Sequence, residues 1–446
     1  MDQGPALNAS APIRSLGLVP ATCLIVGQVV GIGIFLTPAG MARGLGASGL
    51  VYAMWLLAGF MALTGALCYG ELASRFPEAG GAYVYLREAW GEPVAFLYGW
   101  KCLLVMDPGI AAALGAGLAE YVAYLWPLEP GGKKAAAALV IVLLAALSAL
   151  GTRLAAGTLV VITALKLALL AVIAVSAFGS GAIAWERVLP SLGRAADASP
   201  LLPALAGAFV AAFFSFGGWW EAARMAGEVR DPQRTLPRAF VLGITIVTAV
   251  YILTSAVFIG LVPVAETATA DAFAAQVGER LFGPAGGTVL ALGVILSVVG
   301  SLAAVMLASP RLYVALARDG LFPVRIARLH PRFGTPAAAV GVQAALAVLL
   351  VALGTFADIV AYFVFVTVAF IAASVAGLYR LPAATHGFRT PLRRLTPAVF
   401  VGLSVLLLAL LLAGKPAQAL LGVGVVSLGA PVYAWLRRGG ILGTAT

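Results

Sequence analysis

Two glycines one residue apart interrupt the first long apolar stretch of this chain, in Val29-Val30-Gly31-Ile32-Gly33-Ile34-Phe35, with Gly27 one turn earlier. Glycine inside a helix costs about 1 kcal/mol relative to alanine, so the run predicts a helix that breaks midway. The surrounding solvent decides what that break means. Of 446 residues, 62% are hydrophobic and 10% charged, against about 25% charged in soluble domains. The chain is built for a bilayer. Open backbone at membrane depth is tolerated only where protein buries it or where it lines a cavity. A second break of the same kind stands at Phe214-Ser215-Phe216-Gly217-Gly218-Trp219.

Stretches of about 20 apolar residues, the length that spans a bilayer, fall at 15–42, 48–73, 93–125, 135–152, 155–179, 200–224, 238–262, 286–317, 336–354, 357–381, 396–414 and 417–436. The expected fold is all-α and integral to the membrane, with about twelve transmembrane helices. Lysine and arginine set the orientation. With a cytoplasmic N-terminus, inner segments collect Arg14, Arg75, Arg87, Arg153, Arg230, Arg234, Arg238, Arg311, Arg318, Arg325, Arg328, Arg332, Arg380, Arg389, Arg393, Arg394, Arg437 and Arg438. The outer side receives Arg43, Lys133, Lys134, Arg187, Arg194, Arg280 and Lys415. Both tails, 1–14 and 437–446, are therefore expected inside a plasma (inner) membrane. This topology accounts for the net charge of +10 without nucleic acid. The first 13 residues lack the pattern of a secretory signal. Cys23, Cys68 and Cys102 fall in apolar segments and predict neither a disulfide framework nor a metal site. His330 and His386 lie in predicted loops, which excludes a histidine metal cluster.

The two breaks fall in spans one and six, five helices apart. An odd number of spans flips orientation, so residues 15–179 and 200–381 are expected to form inverted five-helix repeats, with helices 11 and 12 in 396–436. Matched interrupted spans are the sequence pointer to a transporter's binding site. The alternative is glycine for close helix packing. A helix broken at midplane exposes backbone groups on both sides. The half-helix starting near Ile32 and Gly33 offers amides and a positive dipole end, which suit a carboxylate. Half-helices ending near Val29 and Phe214–Gly217, with Gly31 and Ser215 in the breaks, offer carbonyls that suit an ammonium. Together they are complementary to a zwitterionic α-amino acid. Phosphates or sugars would call for polar side chains that this region lacks.

Lys166 lies mid-span, where a lysine costs roughly 3 kcal/mol and is a functional candidate by default. Its expected partners are freed carbonyls of span one, as a fixed cation where other transporters bind sodium or as a protonatable group. The alternative is snorkelling to an interface. Lys101 and Asp107 share span three, six residues apart, with Pro108 predicting a kink. Asp107 is a candidate for substrate, proton or Lys101 contact, with a structural pair or cap as the alternative; Lys101 otherwise snorkels. Glu221 and Arg224 are expected to pair locally, with gating or coupling as the sharper reading. Glu71 ends span two, in an inner gate or facing solvent. Among the aromatics at the second break, Phe214 is the expected lid, with Trp219 also a gate candidate and with Trp220 shaping the pocket. Tyr251 and Ser297, with Gly300 and Ser301, are weaker pocket candidates. No nucleotide-binding loop, zinc-protease motif or nucleophile elbow occurs, so neither an enzyme nor a bound cofactor is expected.

Several stretches together resemble the amino acid–polyamine–organocation superfamily, closest to its L-type amino acid transporter family. Gly31-Ile32-Gly33-Ile34-Phe35 resembles a G-S-G-I-F pattern. Gly65 through Leu72, followed by Pro77, Gly80, Gly81, Tyr83 and Tyr85, is similar to the second-span signature. Phe214 through Trp219 is similar to F-A-Y-G-G-W, and Glu228, Asp231-Pro232 and Arg234 to Pro237 to the loop after it. Ser309 to Tyr313, Arg318 to Gly320, Pro323 and Thr335-Pro336 resemble the eighth span and its exit loop. The resemblance implies the five-plus-five inverted-repeat fold with discontinuous helices 1 and 6, alternating access, and sodium-independent exchange or facilitated transport of L-amino acids. It implies a carboxylate on the amides of Ile32 and Gly33, an ammonium on the carbonyls of Val29, Phe214 and Gly217, Phe214 as gate and Lys166 as the sodium substitute.

Three departures bear on substrate. Ile32 replaces a frequent serine, Trp220 fills a position frequently small or polar, and Asp107 stands where many relatives have arginine. A small neutral amino acid is the first expectation. Proton-coupled uptake, a cationic amine drawn by Asp107 or Glu221, and a non-transporting amino acid sensor are the alternatives. Beyond the substrate and the lipid bilayer, no obligatory protein partner is expected; a heavy subunit accompanies some animal relatives.

Overall fold

A computed structural model describes residues 16–77, 80–151, 156–196, 198–263, 272–382 and 387–439. The tail 1–14, Arg14, Arg153, His386 and residues 440–446 lie outside these. Among the described residues the regular structure is helical, apart from an isolated bridge between Leu16 and Val229.

The first apolar stretch breaks where the glycines stand. Helix α1 (Leu18–Val29) and helix α2 (Gly33–Leu45) meet at a 49° bend. There follow α3 (Ser48–Arg75), a short α4 (Ala82–Trp90), α5 (Glu92–Lys101), α6 (Asp107–Leu125), α7 (Pro130–Ala149), α8 (Ala156–Gly179) and a single turn, α9 (Trp185–Val188). Next come α10 (Leu201–Ser215), α11 (Pro232–Leu261), α12 (Phe273–Arg318), the turn α13 (Val324–Ala327), α14 (Ala337–Leu353), α15 (Phe356–Ala376), α16 (Leu395–Gly414), α17 (Pro416–Ser427) and α18 (Gly429–Arg438). Ten of the described helical stretches, some of them runs through consecutive elements such as α5–α6 and α17–α18, are long and apolar enough to cross a membrane, and the bent pair α1–α2 makes eleven. The 17-residue α14 stands where the ninth span was expected.

Aliphatic side chains cover much of the outer surface, while small residues let helices approach closely inside, as in a helix bundle in lipid. Leu139, Val142 and Leu143 on α7 and Val161, Val172 and Val175 on α8 are exposed, whereas Ala111, Ala112, Trp55 and Tyr251 are buried. Helix pairing follows a two-fold scheme. Helix α3 packs on α11, α6 on α12, and α7 on α14. The pairing of α8 with α12 is mirrored by that of α15 with α6, and α1 with α11 by α10 with α3.

Several boundaries differ from the sequence expectation. Between α5 and α6 the chain makes a π-helical turn, Cys102–Met106, that ends just before Asp107. The expected proline kink is a bulge one step earlier, because Pro108 sits in the first turn of α6, where its missing N–H costs nothing. The eighth span starts at Phe273 and turns at Gly283, whose φ of 71° is left-handed. Span six does not continue as α-helix to 224. Helix α10 ends at Ser215, and Trp219–Glu228 form a ten-residue 3₁₀ helix, far beyond the three or four residues usual for that form. Its end is stitched to the start of α1 through the Leu16–Val229 bridge: the Leu16 N–H donates to the Glu228 carbonyl at 3.0 Å, and the Arg230 N–H to the Leu16 carbonyl at 2.8 Å.

Candidate functional site

The two breaks face each other. A Cβ on Gly33 would lie 2.7 Å from the Ser215 Cα, and one on Gly218 would lie 3.0 Å from the Gln28 carbonyl oxygen. These glycines permit the approach; Gly218 also holds a φ of 107°, which side-chain-bearing residues rarely adopt.

Both polar ends predicted for the first break are present. Among the described residues, the amides of Ile32, Gly33 and Ile34 donate to no backbone carbonyl, leaving the positive end of α2 open. The Ile32 side chain turns away from the break and packs on Gly117. The carbonyl end of α1 is held by two side chains. The Lys166 ammonium donates to the carbonyls of Gly27 (3.3 Å) and Val30 (3.2 Å) and to the Ser301 hydroxyl (2.7 Å). It is buried, so it does not snorkel. The Tyr251 hydroxyl lies 2.8 Å from the carbonyl oxygens of both Val29 and Ser215, one from each break. Ser297 is buried beside this group, and its carbonyl accepts from Ser301 at 3.3 Å.

At the second break, the Phe214 carbonyl accepts from the Gly217 N–H at 2.9 Å. The Ser215 hydroxyl lies 2.9 Å from that of Thr37, which also donates to the Gly33 carbonyl at 2.9 Å. The Phe214 ring is half-buried and meets Phe356 and Phe363 edge-on at 5.4 and 6.1 Å. Phe356 also lines a cavity of about 530 Å³ between α2 and α10, along with Thr37, Ala208 and Ala211 and, at its rim, Arg43 and Glu120. Trp219 is boxed in by Tyr69, Trp220, Phe240 and Phe400. A ring so enclosed is a wall, whereas Phe214 has room on one side. Trp220 stacks on Phe213 at 6.2 Å and reaches within 3.5 Å of where a Gly217 Cβ would be; its indole N–H has no partner in the described structure.

Buried Lys101 and Asp107 and half-buried Glu221 and Arg224 form a separate cluster around the π-helical turn. Asp107 accepts from the Tyr313 hydroxyl. Arg224 pairs with Glu221 at 2.7 Å, as the three-residue spacing predicted, and reaches the Tyr98 hydroxyl at 3.3 Å. Lys101 corrects the snorkelling alternative: it is 1% exposed, donates to the Met106 sulfur at 3.0 Å and lies over the Tyr98 ring at 4.6 Å. Glu71 likewise does not face solvent. It is buried, paired with Arg75, and accepts from the Thr390 N–H at 2.8 Å. Near this end, α4 is tied to the end of α12: the Tyr83 hydroxyl donates to Asp319 at 2.6 Å and Arg87 at 3.0 Å. Burial, then the Asp319 carboxylate, pushes the Tyr83 phenol up from its usual value, so it stays a donor.

Thr37, Phe356 and Phe363 are not singled out by the sequence, and Tyr313 enters there only as part of a motif, with no role at the site. Thr37 carried a signal, a hydroxyl one turn after Gly33. Tyr313 stands 206 positions from Asp107, and nothing local connects them.

A bundle of membrane-spanning helices with two facing breaks, open amides on one side and held carbonyls on the other, is that of a multi-pass membrane transporter. The sequence profile of the amino acid permease family matches residues 16–430, and the chain belongs to that family. It is accordingly an amino acid transporter and not an enzyme. The chain is similar to the large neutral amino acids transporter small subunit 2 of Homo sapiens, 29% identical over 431 residues that cover 94% of this chain and 80% of the relative. It is similar to the serine/threonine exchanger SteT of Bacillus subtilis (strain 168), 28% identical over 433 residues, 95% of this chain and 97% of the relative. It is also similar to the Asc-type amino acid transporter 1 of Mus musculus, 29% identical with 94% and 80% covered.

Proposed function

We propose that this chain exchanges small neutral L-amino acids across the plasma membrane, independently of sodium, by alternating access. The observation that carries the reading is the Lys166 ammonium bonded to the Gly27 and Val30 carbonyls. A fixed cation there satisfies the carbonyl end of α1 and leaves no unmet demand for a mobile one. The substrate carboxylate sits on the amides of Ile32 and Gly33, beside Gly31. The ammonium meets the carbonyls of Val29, Phe214, Ser215 and Gly217, with the Tyr251 hydroxyl yielding its bond to Val29. Phe214 is the gate towards the cavity, and Trp219 is the fixed wall behind it. Trp220, folded over Gly217, limits the side chain to a small one. The name of the serine/threonine exchanger among the relatives agrees with that size.

The mirrored helix pairing supports the reading of 15–179 and 200–381 as inverted repeats, followed by helices 11 and 12 to 436. The loop arginines support cytoplasmic termini. The reading includes no obligatory protein partner, although the human relative is by name a small subunit. A cationic substrate is disfavoured, because Arg224 already pairs with Glu221 and Asp107 is 1% exposed.

Purified chain in proteoliposomes preloaded with unlabelled amino acids tests the proposal. Labelled alanine or serine enters only when amino acid is inside, with or without sodium or a pH gradient. Uptake that follows the pH gradient would replace exchange by proton coupling. Binding without flux from folded protein would turn the reading to a sensor.

A further inference from the structure

Away from the two breaks, a cavity of about 690 Å³ opens at the start of α11, lined by Leu18, Gln233, Arg234, Arg238, Leu242 and Phe388 among others. Helix α11 has 30 residues, about 45 Å of helix against a hydrocarbon core of about 30 Å. Of the two ends of α11, the basic first two turns are the ones suited to the headgroup level, since the rest of the helix is apolar. Arg234, Arg238, Leu242 and Ile246 follow one another at every fourth position, on one face, and all four are exposed. The stripe changes from basic to aliphatic within two turns, as the membrane boundary does.

The arginines are available. Arg234 approaches only Asp231, at 3.9 Å, beyond hydrogen-bonding distance. Arg238 makes no hydrogen bond or ion pair with the described residues. The opposite wall is fixed: the Phe388 N–H donates to the Ser74 hydroxyl at 3.0 Å, and Leu18 follows the stitched Leu16–Val229 bridge. Two cations over an apolar groove that continues into lipid-facing side chains suit a phosphodiester with an attached acyl chain. A soluble anion would use only the upper half.

We propose that this groove between α1 and α11 binds one anionic phospholipid, its phosphate on Arg234 and Arg238 and an acyl chain along Leu242 and Ile246. The inference is independent of the transported substrate. It is tested by native mass spectrometry of the full chain in detergent, titrated with phosphatidylglycerol or phosphatidylcholine. One phosphatidylglycerol is expected to be retained in preference to phosphatidylcholine. Arg234→Ala with Arg238→Ala should weaken it about thirtyfold, from roughly 1 kcal/mol per basic residue near an anionic headgroup. Arg234→Lys with Arg238→Lys should keep the preference and so control for folding. Soluble glycerol phosphate at the same concentration should not displace the lipid. Equal retention of the two lipids, an unchanged affinity in the alanine pair, loss in the lysine pair, or displacement by glycerol phosphate would each overturn the proposal.

Discussion

The two helix breaks solve one problem in different ways. The first is short and polar: three residues, Val30 to Ile32, separate α1 from α2, and Lys166 and Tyr251 hold its carbonyls. The second is long and aromatic: a turn through Gly218 leads into ten residues of 3₁₀ helix, ringed by Phe214, Trp219 and Trp220. One break fixes charge, and the other shapes volume. On the proposed reading, the carboxylate that all amino acid substrates share falls to the first break and their ammonium to carbonyls of both. On the same reading the side chain that distinguishes the substrates is left to the aromatic walls of the second break.

The sharpest way to break this contrast is to push the two apart. Gly33→Ala puts a methyl 2.7 Å from the Ser215 Cα. Overpacking of about 3 kcal/mol predicts a roughly hundredfold loss of substrate affinity while size-exclusion profiles still report folded protein. Removing the fixed charge is next. Lys166→Met leaves two carbonyls and a hydroxyl without their donor, at about 1–3 kcal/mol for each buried group left unmet. Exchange in proteoliposomes should fall at least about tenfold, for every substrate alike. The second break should behave otherwise. Trp220→Ala is expected to raise kcat/KM for leucine relative to alanine by about tenfold, the worth of a few methylenes in a pocket; an equal loss for both would mean that Trp220 does not select. Tyr251→Phe should have the smallest effect. It deletes one hydroxyl shared by both breaks, and about 1 kcal/mol gives roughly a fivefold change in affinity, uniform across substrates.

Much of this was legible in the sequence because glycine, lysine and proline are costly in lipid-buried helices and so mark their own positions. Gly31 and Gly33 located the first break to the residue, and Lys166 pointed to its carbonyl partners. The 3₁₀ form of Trp219–Glu228 was not legible, since an apolar run followed by Glu221 and Arg224 also reads as α-helix. Nor was the π-helical turn at Cys102–Met106, which inserts a residue without any breaker of its own. The fate of Lys101 depended on Met106 and Tyr98, and that of Asp107 on Tyr313, a neighbour only in the folded chain.

The long 3₁₀ segment has a mechanical meaning. A 3₁₀ helix rises about 2.0 Å per residue and an α-helix 1.5 Å. Rewinding the ten residues Trp219–Glu228 as α-helix would shorten them by about 5 Å, close to one helical turn. The far end of that segment is sewn to the beginning of α1 by the Leu16–Val229 bridge. A drawn spring is thus tied by a short cord to the half-helix whose carbonyls Lys166 and Tyr251 hold, and its recoil would pull on α1 from beyond the second break.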